Sequence, residues 1–316
     1  MCTVSVIIPT YKRKDLYLKR AIDSVLNQTH KNIEVVVVDD NASEDLHYYR
    51  SHSNELINKY NDSRITYIQN KKNLGGSLAR NEGIKIASGD YITFLDDDDE
   101  YLSDKVKNQL CFMLKNDFDM TFTNLKLCND EGNIVDFREY KDIMEYNGES
   151  LLEYHLTRHI TGTPTFMYKK EILLNIGGFP DAKMGQEFYL MVNTIKSGIK
   201  IGYLPTTDVI AYRHKDGGIS MGRNKITGEM ALYDFKKQYF DKISFRSRLF
   251  IRFRHHVVMA IAYKRNNQYL KMIGQSLIAG VTSPGDLFIE AYKFIKRISH
   301  NKKTVIDGTA EGEIKA

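Results

Sequence analysis

Five carboxylates in succession, Asp96-Asp97-Asp98-Asp99-Glu100, follow directly on the apolar run 91–95. Like charges at 4 Å repel by about 4 kcal/mol per pair at an effective dielectric near 20. A chain keeps such a group at a strand end when a cation is there to bind. Hard oxygen ligands suit Mg2+ or Mn2+, ions that also bind phosphate oxygens. An isolated acidic run reads as a solvated turn, but one at the carboxyl end of a strand in an α/β sheet favours the metal. Gly75-Gly76 either lets backbone approach a ligand or only turns a loop. No Gly-x-Gly-x-x-Gly follows the first strand and no Walker A sequence occurs. A nucleotide bound here must be held by side chains and the metal. That points away from hydride transfer and kinase chemistry, toward a nucleoside diphosphate neutralised by one cation.

The elements that must position these residues alternate. Residues 4–8, 33–38, 65–68 and 91–95 are β-branched or apolar runs that predict buried strands. Between them, helical periodicity at Leu16, Ala21, Ile22, Val25 and Leu26, and again over about 77–87, predicts helices. Strands separated by helices imply a parallel, doubly wound sheet whose ligands lie beyond the strands' carboxyl ends. Pro9-Thr10-Tyr11, Asp39-Asp40 and the acidic run all fall there. From 100 to 240 the alternation loosens, with helices near 104–115 and 187–197 and a strand pair around 120–124 and 165–168. No linker separates these halves, so one domain is expected over 1–240, split into halves 1–99 and 100–240.

The 316 residues carry 45 Lys+Arg against 40 Asp+Glu, 42% hydrophobic and 27% charged residues, which is ordinary globular composition. Three scattered cysteines exclude a disulfide framework or a thiolate zinc site and fit a reducing compartment. No apolar stretch approaches the roughly 20 residues that span a bilayer, and the first ten residues run into a strand without a cleavage site. A cytoplasmic protein, or one on the inner face of a membrane, is expected. The net charge of +5 is uneven. Residues 241–316 hold 14 cations and 6 acids, a balance of +8, which leaves −3 for 1–240. The region 241–303 reads as basic amphipathic helices broken around Pro284, and 304–316 as a disordered tail.

Val4-Ser5-Val6-Ile7-Ile8-Pro9-Thr10-Tyr11, Ser24-Val25-Leu26-Asn27-Gln28-Thr29, Val38-Asp39-Asp40-Asn41-Ala42-Ser43, Asn73-Leu74-Gly75-Gly76-Ser77-Leu78-Ala79-Arg80-Asn81-Glu82-Gly83 and Gly89 through Asp99, in this order, closely resemble the family 2 glycosyltransferases of GT-A fold. Ile176-Gly177-Gly178-Phe179 and then Gln186-Glu187 fit the acceptor half, so the resemblance covers roughly 3–215. It implies a Rossmann-like, mainly parallel α/β sheet flanked by helices, here with a C-terminal helical appendage. It also implies that Tyr11 stacks on the nucleotide base, with Pro9 and Thr10 in the same wall. Asp40 would accept from the base imino group, favouring uracil or thymine over cytosine. Arg80 would close the base pocket, Asp96 and Asp97 would face ribose and metal, and Asp98 would be the principal ligand of Mn2+ or Mg2+.

Inverting members usually carry Glu-Asp where this chain has Gln186-Glu187. The resemblance makes Glu187 the base that deprotonates an acceptor hydroxyl, a role contributing ~10²–10⁴-fold, while Gln186 orients a sugar hydroxyl. A helix-start acid favoured by the macrodipole is the plain alternative. His214, between Arg213 and Lys215, reads as a further metal ligand or a diphosphate contact, and Arg213 and Ser220 as acceptor or diphosphate contacts on a Gly-rich loop.

In residues 243–265 Phe245, Leu249, Phe250, Phe253, Val257 and Ile261 recur at helical spacing among cations, a pattern that suits a headgroup layer. Leu287, Phe288, Ala291, Phe294, Ile295 and Ile298 form a second such stripe. A basic appendage packed on the catalytic domain is the alternative, and no nucleic-acid module is present. The expected reaction is metal-dependent, inverting transfer from a UDP-sugar, or a TDP-sugar, to a saccharide acceptor on an undecaprenyl diphosphate at the cytoplasmic membrane surface, in bacterial capsule, O-antigen or other surface-polysaccharide synthesis. A sugar nucleotidyltransferase and a non-catalytic nucleotide-sugar-binding subunit are the rivals.

Overall fold

A computed structural model describes residues 2–41, 47–143, 146, 148–182, 184–214 and 223–292. The chain divides into two compact units, Met1–Ile219 and Ser220–Ala316. The break falls ahead of the expected boundary at 240, because the helix over 223–237 packs with the helices that follow it.

In the first unit, β1 (Val4–Thr10), α1 (Asp15–Leu26), β2 (Ile33–Asp39), α2 (His47–Tyr60), β3 (Ile65–Gln69), α3 (Gly76–Ile86) and β4 (Tyr91–Phe94) alternate, and of these α2 alone has no counterpart among the expected elements. β1 lies between β2 and β4 and parallel to both, with β3 beyond β2. Burial on both faces explains the consecutive β-branched residues Val6-Ile7-Ile8 of β1 and Val35-Val36-Val37-Val38 of β2. α1 turns Leu18, Ala21, Ile22 and Val25 inward.

After β4 come β5 (Glu100–Tyr101), α4 (Lys105–Asn116), β6 (Met120–Thr123), β7 (Leu125–Asn129), β8 (Ile134–Arg138), α5 (Gly148–Arg158), β9 (Met167–Lys169), α6 (Lys170–Asn175), α7 (Gln186–Lys196), β10 (Ile201–Leu204) and β11 (Val209–Arg213). The expected strand pair is present: β9 inserts antiparallel between β4 and β6, completing a seven-stranded sheet of order β10-β6-β9-β4-β1-β2-β3. A second sheet, β5-β11-β7-β8, was not expected. Its strands are short, and β8 leaves Ile134, Val135 and Phe137 exposed, so no buried run announces it.

One buried polar knot fixes the end of β4. Lys105 Nζ donates to Thr93 Oγ1 at 2.6 Å and to the Tyr101 hydroxyl at 3.0 Å, and that hydroxyl donates to the Phe94 carbonyl. Burial pushes the Lys105 ammonium well below its ordinary range. The acids begin two residues beyond Phe94.

The second unit is helical: α8 (Arg223–Lys237), α9 (Phe245–Arg265), α10 (Tyr269–Thr282) and a further helix over the described residues 284–292. α9 packs against both α8 and α10, which buries Ile251, Phe253, Met259, Ala260 and Ala262. The periodic stripe expected to face a headgroup layer is therefore divided: Phe253 is core, while Phe245 and Ile261 are exposed. The expected break lies at Ser283, which receives the Leu287 N–H on its carbonyl and donates from its hydroxyl to Asp286, and Pro284 opens the next helix. Asp286 also pairs with Arg246 through both guanidinium nitrogens. The expected tail, and Phe294, Ile295 and Ile298, lie outside the described residues.

Candidate active site

The carboxyl ends of β1, β2 and β4 bring together three of the segments singled out by sequence. Pro9 and Thr10 end β1, in register with Val38 and Asp39 of β2. Tyr11 follows, a residue 42% exposed, and its backbone N–H reaches toward Asp97 Oδ2 at 3.4 Å. Asp40, buried, donates its N–H to the Thr10 carbonyl. Its carboxylate accepts from Asn70 Nδ2 at 2.8 Å, from the Leu74 N–H at 2.9 Å and from the Gly75 N–H at 2.8 Å. Gly75 holds φ +77°, a left-handed conformation that glycine adopts without strain, and α3 starts immediately after it.

Arg80 on α3 is the bridge of the site. Buried, it donates from Nη2 to Asp96 and from Nη1 to Gln186 Oε1 at 2.8 Å and the Gly76 carbonyl at 3.2 Å. A Cβ at position 76 would stand 3.0 Å from Arg80 Nη1 and 3.3 Å from Gln186 Oε1, so the second glycine keeps room for this junction. Gln186 and Glu187 open α7, where the unpaired N–H groups of the first turn favour an acid. Glu187 is half-buried, and its carboxylate takes no hydrogen bond or ion pair among the described residues.

The acidic run is less repulsive than its composition implies, because it is met by cations that sequence reasoning did not single out. Arg13 Nε donates to Asp97 Oδ1 at 2.8 Å, and Arg13 Nη1 lies 2.9 Å from Asp98 Oδ2. Arg20 donates to the Asp98 carbonyl. Asp99 accepts the Tyr212 N–H at 3.0 Å. Burial raises the Asp97 carboxyl to about 7 against the opposing pull of Arg13. It also raises Asp98, against Arg13 and His214, and holds Asp99 well above the usual carboxylate range. Glu100 leaves the cluster as part of β5 and accepts from the Tyr212 hydroxyl at 3.1 Å.

His214 reaches the run from the end of β11. Its Nδ1 pairs with Asp130, and its Nε2 stands 3.4 Å from Asp98 Oδ2, buried and without a hydrogen-bond partner. Tyr17 of α1 packs on the imidazole at 4.6 Å between ring centroids, and the Arg20 guanidinium lies 3.8 Å over the Tyr212 ring. A carboxylate on one ring nitrogen fixes the tautomer and aims the other nitrogen, the arrangement of a metal-ligating histidine. Among the described residues no group of three or more His, Cys, Asp or Glu would hold a metal unaided. Mg2+ and Mn2+ sites that share an ion with substrate phosphates need only one or two protein ligands, so Asp98 and His214 fit such an ion. Arg213 is exposed beside Asn129 of β7. Ser220 and residues 215–219 lie outside the described residues. Asp130, Arg13 and Arg20 carried no local sequence signal, since each meets its partner only through the fold.

The architecture matches solved glycosyltransferases of GT-A fold. Staphylococcus aureus TarS residues 1–349, solved with UDP-GlcNAc, superposes with a TM-score of 0.58 at 18% identity, over 87% of this chain and 90% of that one. The Pyrobaculum calidifontis mannosyltransferase PcManGT, solved with GDP-Man and Mn2+, gives 0.56 at 13% identity over 90% and 88%. The Escherichia coli protein WfaP, a UDP-Glc:alpha-D-GlcNAc-diphosphoundecaprenol beta-1,3-glucosyltransferase, is 32% identical over 222 residues, 70% of this chain and 81% of its own. Four other curated relatives are matched over only 18 to 52% of their length. The family model for glycosyl transferase family 2 matches residues 5–177, which hold Pro9, Thr10, Tyr11, Arg80 and the acidic run, and the chain is a glycosyltransferase belonging to that family.

Proposed function

We propose that this glycosyltransferase inverts the anomeric centre of a UDP-sugar as it passes the sugar to a hydroxyl of a saccharide acceptor, with a divalent cation, Mn2+ or Mg2+, on Asp98 and His214. The observation that carries the reading is the Arg80 bridge, which joins Asp96 on the donor side to Gln186, the neighbour of Glu187. The exposed Tyr11 ring offers a face for the base, with Pro9 and Thr10 behind it, and Asp40 offers an acceptor for an imino N–H. Asp96 and Asp97 flank the ribose and diphosphate. Glu187, at a helix start, takes the proton of the acceptor hydroxyl as that oxygen forms its bond to the anomeric carbon. The bond from that carbon to the diphosphate oxygen breaks on the opposite side and UDP leaves. The cation supplies neutralisation of the charge gathering on the diphosphate. Gln186, already held by Arg80, orients a sugar hydroxyl without competing for the proton, and Arg213 and Ser220 contact the acceptor or diphosphate.

The donor and acceptor written in the name of WfaP, and in that of the E. coli relative WfgD at 29% identity, support a UDP-sugar donor and a diphosphoundecaprenol-linked acceptor. The relative TuaG of Bacillus subtilis, named for teichuronic acid synthesis, supports a surface polysaccharide as the product. Such an acceptor resides at a bilayer, so we place the enzyme on the cytoplasmic face of the cell membrane. Among the described residues no helix is long and apolar enough to cross it. The test is UDP release from a panel of UDP-sugars, with a GlcNAc-diphosphate lipid as acceptor, with and without Mn2+. Metal-dependent release that Asp98→Ala abolishes is the expected result; donor binding without turnover on any acceptor would overturn it.

A further inference from the structure

α10 is amphipathic in the reverse sense to a helix of a water-soluble protein. The only buried side chain it contributes is Ala279, and Gln275 also turns inward, to His256 Nδ1 at 2.7 Å. Its exposed residues include Leu270 at 88%, Val281 at 84%, Leu277 at 66% and Ile273 at 50%. Positions 270, 273, 277 and 281 fall on one stripe of a helix, and no charged residue interrupts it. The following helix adds Phe288, 75% exposed, and Leu287, which approaches α10 at Gly280. An apolar face of this kind marks an interaction surface.

The charges around it select the partner. Residues 242–292 carry eight Lys and Arg against Asp286 and Glu290, and Asp286 is spent on Arg246. Lys264, Arg265 and Lys271 are exposed and close together in sequence at the turn joining α9 to α10, where the stripe begins. A second copy of the chain paired in parallel along α10 would bring these cations against their like. A leaflet of anionic phospholipid complements both features, taking the stripe among its acyl chains and the cations at its headgroups.

We propose that the outer face of α10, with Leu287 and Phe288, is a docking surface for an anionic bilayer, and that Lys264, Arg265 and Lys271 pair with the phospholipid headgroups. The inference rests on the reading of a lipid-linked acceptor and specifies how the chain meets the bilayer. The lipid-facing helix is α10, whereas α9, which carries the basic amphipathic stripe, is the element packed between its neighbours.

The test floats the full chain with vesicles of phosphatidylcholine alone and of phosphatidylcholine mixed with phosphatidylglycerol. The wild-type chain is expected to bind the mixed vesicles much more tightly and to release as salt rises. The triple variant L270Q/L277Q/V281Q should lower binding to both at least about tenfold. K264Q/R265Q/K271Q should lower binding to the mixed vesicles about a hundredfold and leave the neutral ones unchanged. Both sets change exposed side chains, so Tm should stay at the wild-type value. Equal flotation of L270Q/L277Q/V281Q and wild type overturns the proposal, as does a wild-type chain that binds no vesicle. A vesicle-free dimer that L270Q/L277Q/V281Q turns into a monomer also overturns it, by assigning the face to a second copy. UDP release measured without vesicles on a soluble acceptor separates the two readings: its absence overturns the transferase mechanism alone, and lost flotation with intact release overturns only the docking surface.

Discussion

Arg80 donates to Gln186 across 106 positions of sequence, at 2.8 Å, while its other terminal nitrogen holds Asp96. One guanidinium thus ties the end of β4 to the first residue of α7. The acids that follow β4 and the start of α7 cannot shift independently while that junction stands. Gln186 completes it as a neutral acceptor, where a glutamate would add a second negative charge to the same arginine.

Loss of the junction should therefore cost more than the loss of either contact. Arg80→Lys keeps the charge but cannot span both partners in the same geometry, and kcat/KM for the donor should fall at least about tenfold. Gln186→Ala should fall less. A double-mutant cycle between the two in steady-state kinetics should give a coupling of about 0.5–3 kcal/mol. Simple additivity would show that the bridge has no energetic role.

Glu187→Gln retains shape and helix position but cannot accept a proton. We expect kcat to drop ~10²–10⁴-fold, while UDP binding by calorimetry stays at the wild-type value. A variant whose kcat is unchanged would move the base elsewhere.

Chelation should remove turnover and Mn2+ should restore it. Asp98→Asn should not be restored at any Mn2+ concentration. His214→Gln should raise the half-saturating Mn2+ about 10- to 100-fold, and Asp130→Asn should do the same through loss of the imidazole's support. Metal titrations of UDP release check this. Identical curves for the His214 and Asp130 variants and wild type would exclude them from the ion's surroundings.

Stability of the helical unit should depend on alkaline pH. Burial, aided by Arg254 and opposed by Glu229, pushes the Lys236 ammonium down to about 7. Between about 7 and 10 the unfolded chain holds a proton that the folded chain has released, so stability should rise with pH over that window. As pH falls toward 7 that contribution is lost. Thermal melts from pH 7 to pH 10 should show Tm climbing, and Lys236→Met should flatten the slope.

The legible part of this fold is the part whose burial is two-sided. β1 and β2 carry consecutive β-branched residues, 6–8 and 35–38, because both their faces are covered, and a sequence records that directly. The acidic run was legible because adjacency alone makes five carboxylates improbable without a cation. Asp130 was not, since it lies 84 positions from His214 and becomes its partner only when β7 and β11 pair in the second sheet. Arg13, just ahead of α1, and Arg20, midway along it, show no role until β4 delivers the acids to them. In the helical unit, periodicity correctly found α9 but could not say what its stripe packs on. Ile251 and Phe253 are buried because α8 and α10 cover them, while the exposed face of α10 looks, in sequence, like any core helix.

Asp40 leaves one consequence for choice of base. A carboxylate offers about four lone-pair positions, and the N–H groups of Asn70, Leu74 and Gly75 make four contacts with its two oxygens, the Leu74 N–H lying 2.9 Å from one and 3.1 Å from the other. Under the proposed function, a nucleobase imino N–H has to share an oxygen already met by this turn. Such reading is a test of polarity rather than of size: uracil presents a hydrogen at that edge, and cytosine presents electrons. The same turn begins the helix that carries Arg80, so one short stretch of chain both orients the carboxylate proposed to read the base and supplies the residue that braces the acids.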